Sequence, residues 1–212
     1  MHTKIIFFDM DGVLTVEKSC WHYVHSKLGV DNSINYQKYV KKEITYEEFF
    51  KLDINLWISM FGEMRKETVV NILKQIRIRD CVSDLIKILR NEHIRSIIIS
   101  GGISWLADYI KEKYSFDEAY ANEILTDGHG YIIPEGKIKV IPDKKNLIIK
   151  DIVKKYNVKK EETISVGDST GDYSMYMETG KFFSFNTDDV NIKKISSGNI
   201  DKNLMEIIRY ID

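Results

Sequence analysis

The sequence contains little cysteine and proline, and it has neither a long apolar run nor an excess of one charge. Cys20 and Cys81 are far apart and outside any CxxC spacing, which argues against a disulfide framework or a thiolate zinc site and fits a reducing compartment. No apolar run approaches the ~20 residues that span a bilayer, and Ile5–Phe8 is too short for a signal peptide. We therefore expect a cytoplasmic protein without a membrane partner.

Charge and length narrow the class of protein further. The chain has 31 lysines and arginines and 32 aspartates and glutamates, which gives a net charge of -1. Proteins that bind nucleic acid usually carry an excess of basic residues, so we expect no nucleic acid partner. With 43% hydrophobic and 30% charged residues, the composition is globular. A chain of 212 residues is long enough for one domain, or for a core domain with a small insertion.

Four short apolar runs, each ending at a small or polar residue, predict buried strands. They are Ile5–Phe8, Ile97–Ile99, Thr163–Val166 and Phe182–Phe185. Because they do not alternate with polar residues, they favour a parallel sheet that is covered on both faces. Apolar residues at helical spacing lie between the runs, which predicts a doubly wound, Rossmann-like α/β sheet. Thr126–Gly130 is typical of a tight turn in a β-hairpin beside the sheet.

Residues 16–78 interrupt this alternation with three helical patterns and no convincing strand. Ser19 and Gly29 are typical of the start and the end of a first helix. Thr45–Glu48 is a capping box that opens a second helix, which Gly62 can end, and a third apolar pattern follows. An insertion directly after the first strand predicts a lid over the carboxyl end of that strand.

This insertion divides the chain into two predicted domains. We expect an α/β core at residues 1–15 and 79–212 and a small helical cap at residues 16–78. Within the cap, residues 31–35 and 38–43 are interpreted as a solvated loop and a solvated helix face.

Ligands of an open α/β sheet bind beyond the carboxyl ends of the strands, and the chemistry-bearing residues of this sequence follow the predicted strands. They are Asp9, Asp11, Ser100, Gly101, Asp168 and Asp172, with Lys145 before the helix that precedes the third strand. Two like charges 4 Å apart repel by ~4 kcal/mol at an effective dielectric of 20, so four carboxylates can share one crevice only with a cation or with protons. Oxygen ligands without nearby Cys or His indicate Mg²⁺.

The spacing of Asp9 and Asp11 indicates that the two carboxylates have different roles in one reaction. Asp9 can attack phosphorus and form an aspartyl-phosphate. Asp11, two residues further on, can protonate the leaving oxygen and later deprotonate water. That role requires a proton on Asp11 near neutral pH, which carboxylate neighbours and closure of the lid would favour.

Taken together, four segments resemble the motifs of the haloacid dehalogenase-like phosphatases, in the same order and on matching elements. They are DMDGV at 9–13, SGG at 100–102, Lys145, and GDSTGD at 167–172. The similarity is closest to the phosphoserine phosphatase branch, which also carries a helical cap after the first motif. The resemblance extends over nearly the whole chain and implies a phosphoric monoester hydrolase that acts on a small phosphorylated metabolite.

The resemblance implies a role for each of these residues. Asp9 would be the nucleophile and Asp11 the general acid and base. The residues that would hold the phosphoryl oxygens are Ser100, Gly101 and Lys145. Mg²⁺ would bind Asp9, Asp168 and the backbone carbonyl of Asp11, with Asp172 in support.

The sequence departs from the phosphoserine phosphatases in the cap. Lys18 and Asp53 stand where those enzymes have an acidic residue and an arginine that grip the substrate, and Glu17 is adjacent to the first position. We expect Glu17 and Asp53 to contact the substrate. An aspartate in place of the arginine should repel the carboxylate of phosphoserine, so the sequence supports the phosphatase chemistry better than that substrate.

Other interpretations of the same residues stay open at this point. A phosphotransferase or mutase on the same scaffold would transfer the phosphoryl group to an alcohol instead of water. A receiver-like signalling module shares the acidic pair and Mg²⁺, but its phosphorylated aspartate follows a central strand, where this chain has Ser100. The sequence does not indicate the oligomeric state.

Overall fold

A seven-stranded sheet forms the centre of the protein, seen in a computed structural model that describes residues 2–211. Its strands are β1 (Ile5–Phe8), β2 (Arg95–Ile103), β3 (Glu118–Thr126), β4 (Ile132–Lys137), β5 (Thr163–Gly167), β6 (Lys181–Phe185) and β7 (Gly198–Ile200). The spatial order is β4-β3-β2-β1-β5-β6-β7, and every pair is parallel except the antiparallel β3–β4 pair. The predicted α/β class is therefore confirmed, with β1 at the middle of the sheet.

Both faces of the sheet are covered, which explains the unbroken apolar runs. Ile6 and Phe8 of β1 point into one hydrophobic core, whereas Ile5 and Phe7 point into the other, and all four are fully buried. Side chains alternate between the faces of a strand, so a strand buried on both faces needs apolar residues at every position.

Nine α-helices are found in the described part of the chain. They are α1 (Cys20–Leu28), α2 (Ser33–Val40), α3 (Tyr46–Phe61), α4 (Lys66–Leu73), α5 (Val82–Asn91), α6 (Ser104–Tyr114), α7 (Lys145–Tyr156), α8 (Tyr173–Glu178) and α9 (Val190–Ile195). Helices α5 and α6 contribute to the core on one face of the sheet, and α7, α8 and α9 contribute to the core on the other. None of the helices within residues 2–211 is long and apolar enough to cross a membrane.

The insertion after β1 contains four helices, α1 to α4, where the sequence predicted three. Ser19 and Thr45 cap α1 and α3 as expected, and Gly29 ends α1 in the left-handed conformation. Helix α2 was missed because it has no buried residue and therefore no apolar stripe, although its Tyr39 ring stacks on Phe49 at 5.0 Å. The interpretation of residues 31–35 as a loop is corrected, since α2 begins at Ser33.

The two segments that connect the insertion to the core run side by side. Thr15 and Ile78 form an antiparallel bridge, and the N–H of Val16 donates to the carbonyl of Arg77 at 2.9 Å. The insertion therefore leaves and rejoins the core at one place. The insertion at residues 16–78 is called the cap below, and its being a separate domain stays a prediction.

The hairpin and the C-terminal part differ in detail from the sequence-based expectation. Strand β3 is not beside the sheet but pairs with β2, and it then turns back into β4. The structure also adds β7, α9 and a helical turn at Leu204–Tyr210, for which the sequence analysis had no assignment. Leu204 and Ile207 of this turn are fully buried and close the edge of one core.

Candidate active site

The turn after β1 brings a carboxylate to the carboxyl edge of the sheet. Asp9 directly follows the strand and is 6% exposed. Gly12 then takes a φ of +79°, where an L side chain is strained, and an ideal Cβ at this position would lie 2.3 Å from Oδ2 of Asp168. Arg79 stabilises the turn by donating to the carbonyl of Gly12 at 2.9 Å. The glycine is therefore required both by the backbone conformation and by the closeness of Asp168.

Lys145 is the buried cation of the site. Its Nζ lies 2.6 Å from Oδ1 of Asp9 and 2.6 Å from Oδ1 of Asp172. Burial lowers the pKa of Lys145, but the Asp172 and Asp9 carboxylates raise it more, so the amine remains protonated. Burial and then the Asp172 charge raise the pKa of Asp9, and Lys145 opposes that increase. The ammonium thus connects the turn after β1 to the loop after β5.

Asp172 holds the loop that carries Asp168. It is fully buried, and its Oδ2 accepts hydrogen bonds from the N–H of Asp168 at 3.0 Å and the N–H of Ser169 at 3.2 Å. The hydroxyl of Ser169 donates to the same oxygen at 3.3 Å. With Lys145 on its other oxygen, Asp172 has partners on both sides and is suited to a supporting role.

Three carboxylates of the site meet closely enough to hold a divalent cation. Oxygens of Asp9, Asp168 and Asp172 lie within 4.8 Å of one another. Burial, followed by the Asp172 charge, raises the pKa of Asp168 to about 7. Lys145 supplies one buried positive charge, whereas the cluster contains three carboxylates. Lys18 lies 3.6 Å from Oδ2 of Asp168, but it is 60% exposed and therefore a weak partner. Because all donors are carboxylate oxygens, the residues fit Mg²⁺.

Asp11 lies apart from that cluster, against the first residue of α1. Its Oδ1 is buried and has no hydrogen-bond partner among the described residues. Burial raises the pKa of Asp11, while hydrogen bonds from the backbone and the thiol of Cys20 oppose the increase. An ideal Cβ on Gly102 would lie 3.0 Å from Oδ2 of Asp11, so Asp11 adjoins the end of β2. A carboxylate in this position holds a proton more readily than an exposed one.

Ser100 and Gly101 lie at the same edge of the sheet. Ser100 is 1% exposed, and its Oγ accepts a hydrogen bond from the N–H of Gly102 at 2.9 Å. Gly101 packs on Pro142, because an ideal Cβ there would lie 2.7 Å from Cγ of that proline. Ser100 and Gly101 lie in the irregular last part of β2, which therefore contacts the segment that leads into Lys145.

The two cap residues expected to contact the substrate have partners inside the protein. Oε2 of Glu17 accepts a hydrogen bond from the N–H of Arg77 at 3.1 Å. Asp53 is 1% exposed, with Oδ2 at 3.2 Å from Nε2 of His25 and 3.0 Å from Nδ2 of Asn32. The expectation for Asp53 is therefore corrected, since its carboxylate is satisfied within the cap and is not presented to a substrate. A substrate role for Glu17 stays a prediction.

Three residues outside the predicted site also shape it. Cys20 contacts Asp11, while Tyr46 and Asn122 both donate to the carbonyl of Gly101. The caps at Ser19 and Thr45 indicate where α1 and α3 begin, but they do not indicate which atoms the first helical residues meet in the core. The contacts of Cys20 and Tyr46 depend on how the cap is placed over the sheet, whereas the contact of Asn122 depends on the pairing of β3 with β2.

Comparisons with known proteins identify the family to which the chain belongs. The family model described as haloacid dehalogenase-like hydrolase matches residues 6–177. A phosphoserine phosphatase of Methanocaldococcus jannaschii is 27% identical over 209 residues, covering 98% of this chain and 97% of that protein. A phosphoserine phosphatase of Archaeoglobus fulgidus is 26% identical over 200 residues, covering 94% of this chain but 57% of that longer protein.

Solved structures show the same fold. A substrate-bound phosphoserine phosphatase superposes with a TM-score of 0.83 at 24% identity, and both chains are covered completely. A phosphoserine phosphatase in apo form gives a TM-score of 0.82 at 25% identity, covering 99% of this chain and all of the other. The predicted similarity to the phosphoserine phosphatase branch is confirmed, as is the prediction of a phosphoric monoester hydrolase. Since the family model spans most of the sequence, the chain belongs to the haloacid dehalogenase-like hydrolases.

Proposed function

We propose that this hydrolase is a Mg²⁺-dependent phosphatase that hydrolyses a small phosphomonoester through an aspartyl-phosphate on Asp9. The observation that carries the proposal is the position of Lys145, with its ammonium 2.6 Å from both Asp9 and Asp172. A buried cation beside a carboxylate nucleophile can bind the incoming phosphoryl group and reduce its repulsion from the acidic edge. The relatives named phosphoserine phosphatase support the same class of reaction.

The chemistry requires one nucleophile and one proton carrier. An oxygen of Asp9 attacks phosphorus while the bond from phosphorus to the leaving oxygen breaks, and Asp11 gives its proton to that oxygen. Asp11 then takes a proton from water, and the resulting nucleophile attacks phosphorus and releases Asp9 as a carboxylate. The raised pKa of Asp11 supports the first of these roles, and its unpartnered Oδ1 can accept or donate the proton.

The phosphoryl oxygens would be held by groups that lie, like Asp9, at the carboxyl edge of the sheet. These groups are the Ser100 hydroxyl, the backbone N–H of Gly101 and the Lys145 ammonium. Mg²⁺ would be held by Asp9, Asp168 and the carbonyl of Asp11, and when bound it would neutralise negative charge and polarise a phosphoryl oxygen. Asp172 would keep Asp168 in place through the loop hydrogen bonds described above.

The cap, at residues 16–78, would cover the reacting groups and exclude bulk water. Phosphoserine belongs among the candidate substrates because the relatives carry that name. The repulsion expected from Asp53 no longer argues against it, since that carboxylate is covered by His25 and Asn32. We therefore assign the substrate class as small phosphorylated metabolites with phosphoserine as the first test compound.

A phosphate-release screen of the purified protein tests the proposal. We expect multiple turnovers with at least one phosphorylated metabolite in the presence of Mg²⁺, and loss of turnover in EDTA or in an Asp9→Asn variant that remains folded. Transfer to an added alcohol in place of phosphate release would instead indicate a phosphotransferase. A single stable phosphorylation per chain would indicate a phospho-acceptor module, and phosphate release by Asp9→Asn at the normal rate would exclude Asp9 as the nucleophile.

A further inference from the structure

The carbonyl of Gly101 is fixed by two side chains from different parts of the chain. Oη of Tyr46 donates to this oxygen at 2.8 Å, and Nδ2 of Asn122 donates to it at 3.1 Å. Asn122 is fully buried and is itself held in place, since its Oδ1 accepts the N–H groups of Lys139 and Val140, both at 2.8 Å. The Gly101 carbonyl therefore has one well-defined direction.

The same peptide group orients Ser100. A peptide unit is planar, so fixing the Gly101 carbonyl also fixes the N–H of Gly102 on its opposite side. That N–H donates to Oγ of Ser100 at 2.9 Å. Because the serine oxygen already accepts this hydrogen bond, its own proton is left to donate to a phosphoryl oxygen. The direction of the Ser100 hydroxyl thus depends on the Gly101–Gly102 peptide.

Tyr46 makes this contact from the cap. It is the first residue of α3, directly after the Thr45 capping box, so its backbone position is well defined. Burial raises the pKa of Tyr46, while Asn122 opposes the increase, and the hydroxyl therefore stays protonated and able to donate near neutral pH. A phenylalanine would keep the ring and remove only this donor.

We propose that Tyr46 is a positioning residue that couples the cap to Ser100 through the Gly101–Gly102 peptide. This inference rests on the proposed function, in which Ser100 holds a phosphoryl oxygen. When the cap lies over the core, the Tyr46 hydroxyl orients the peptide and Ser100 is ready to bind. Without that hydroxyl, Asn122 remains as the donor to the Gly101 carbonyl, and the peptide has more freedom to rotate.

A double-mutant cycle tests this coupling. The variants are Tyr46→Phe, Ser100→Ala and the double substitution, with p-nitrophenyl phosphate and Mg²⁺ as the assay. We expect Tyr46→Phe to lower kcat/KM about five-fold in the normal background but less than about two-fold in the Ser100→Ala background. The inhibition constant of inorganic phosphate should rise together with the loss of kcat/KM that Tyr46→Phe causes in the normal background. An equal loss in both backgrounds would show that Tyr46 does not act through Ser100.

Tyr156→Phe is the matched control. Its hydroxyl donates to Glu118, and it lies eleven residues along α7 from Lys145, about 16 Å at 1.5 Å per residue. This variant should retain normal kcat/KM.

If the wild-type protein released phosphate from no compound, the proposed function would fail. Calorimetric binding of inorganic phosphate to the wild type, Tyr46→Phe, Ser100→Ala and the double variant would then decide the coupling. Weaker binding in Tyr46→Phe only when Ser100 is present supports the coupling, whereas equal changes, or absence of binding by the wild type, overturn it.

Discussion

Replacing Asp168 by asparagine should stabilise the metal-free protein at neutral pH. The Asp168 side chain is 6% exposed, and burial followed by the Asp172 charge raises its pKa to about 7. The unfolded chain releases this proton near pH ~4, whereas the folded protein keeps it up to about pH 7. Stability associated with this carboxyl is therefore complete below about pH 4 and is lost as the pH rises towards 7.

The size of the effect follows from the shift. An increase from 3.8 to about 7 is roughly three pKa units, and one unit corresponds to about 1.36 kcal/mol. The ionised Asp168 therefore costs about 4 kcal/mol above pH 7 when no metal is bound. Asparagine removes this cost, and the contact with the exposed Lys18 needs no separate deduction because its attraction is already part of the raised pKa. We expect a net stabilisation of about 4 kcal/mol at about pH 8 and almost none at about pH 4.

Urea unfolding in EDTA, from about pH 4 to about pH 8, measures this difference. Asp84→Asn is a suitable control because its side chain is 71% exposed and is paired only with the exposed Lys87, so it should change the free energy of unfolding by less than about 1 kcal/mol at every pH. Adding Mg²⁺ should stabilise the wild-type protein but not Asp168→Asn. If Asp168→Asn were less stable than the wild type in EDTA, or if the difference did not vary with pH, the electrostatic account of the site would be refuted.

Three further substitutions probe other parts of the site. Gly12→Ala should lower the free energy of unfolding by about 1–3 kcal/mol, because φ is +79° and the new Cβ would meet Asp168; an unchanged urea midpoint would contradict this. Lys145→Met should cost about 3–5 kcal/mol near neutral pH by leaving Asp9 beside other buried carboxylates without its cation, and normal stability would argue against that pairing. Asp11→Asn should slow hydrolysis most for esters with poor leaving groups, and a defect independent of leaving-group pKa would argue against the acid role.

The fold was predictable where burial leaves a signal in the sequence. The run Ile5–Phe8 indicates a strand buried on both faces, and the Thr45 capping box indicates the start of α3. Helix α2 left no such signal because none of its residues is buried. The strand β7 has three residues and α9 has six, too few for a periodic pattern to emerge.

The sequence predicted which residues form the site better than it predicted the contacts between them. Carboxyl ends of parallel strands meet at one edge, so the positions of Asp9 and Asp168 directly after two predicted strands were enough to expect them at the same edge. The resemblance implied Lys145 as the lysine of the site, and the structure buries this side chain. The partners of Asp53 and Tyr46 were not predictable, because they depend on how the cap helices pack against one another and against the core.

Trapping the phosphorylated enzyme tests the central claim most directly. The wild-type protein is mixed with p-nitrophenyl phosphate and Mg²⁺, quenched in acid during turnover, and digested for mass spectrometry. The account predicts the mass of one phosphoryl group on Asp9, and no such mass in Asp9→Asn. Steady phosphate release without phosphorylated Asp9, or with the group on another residue, would contradict it.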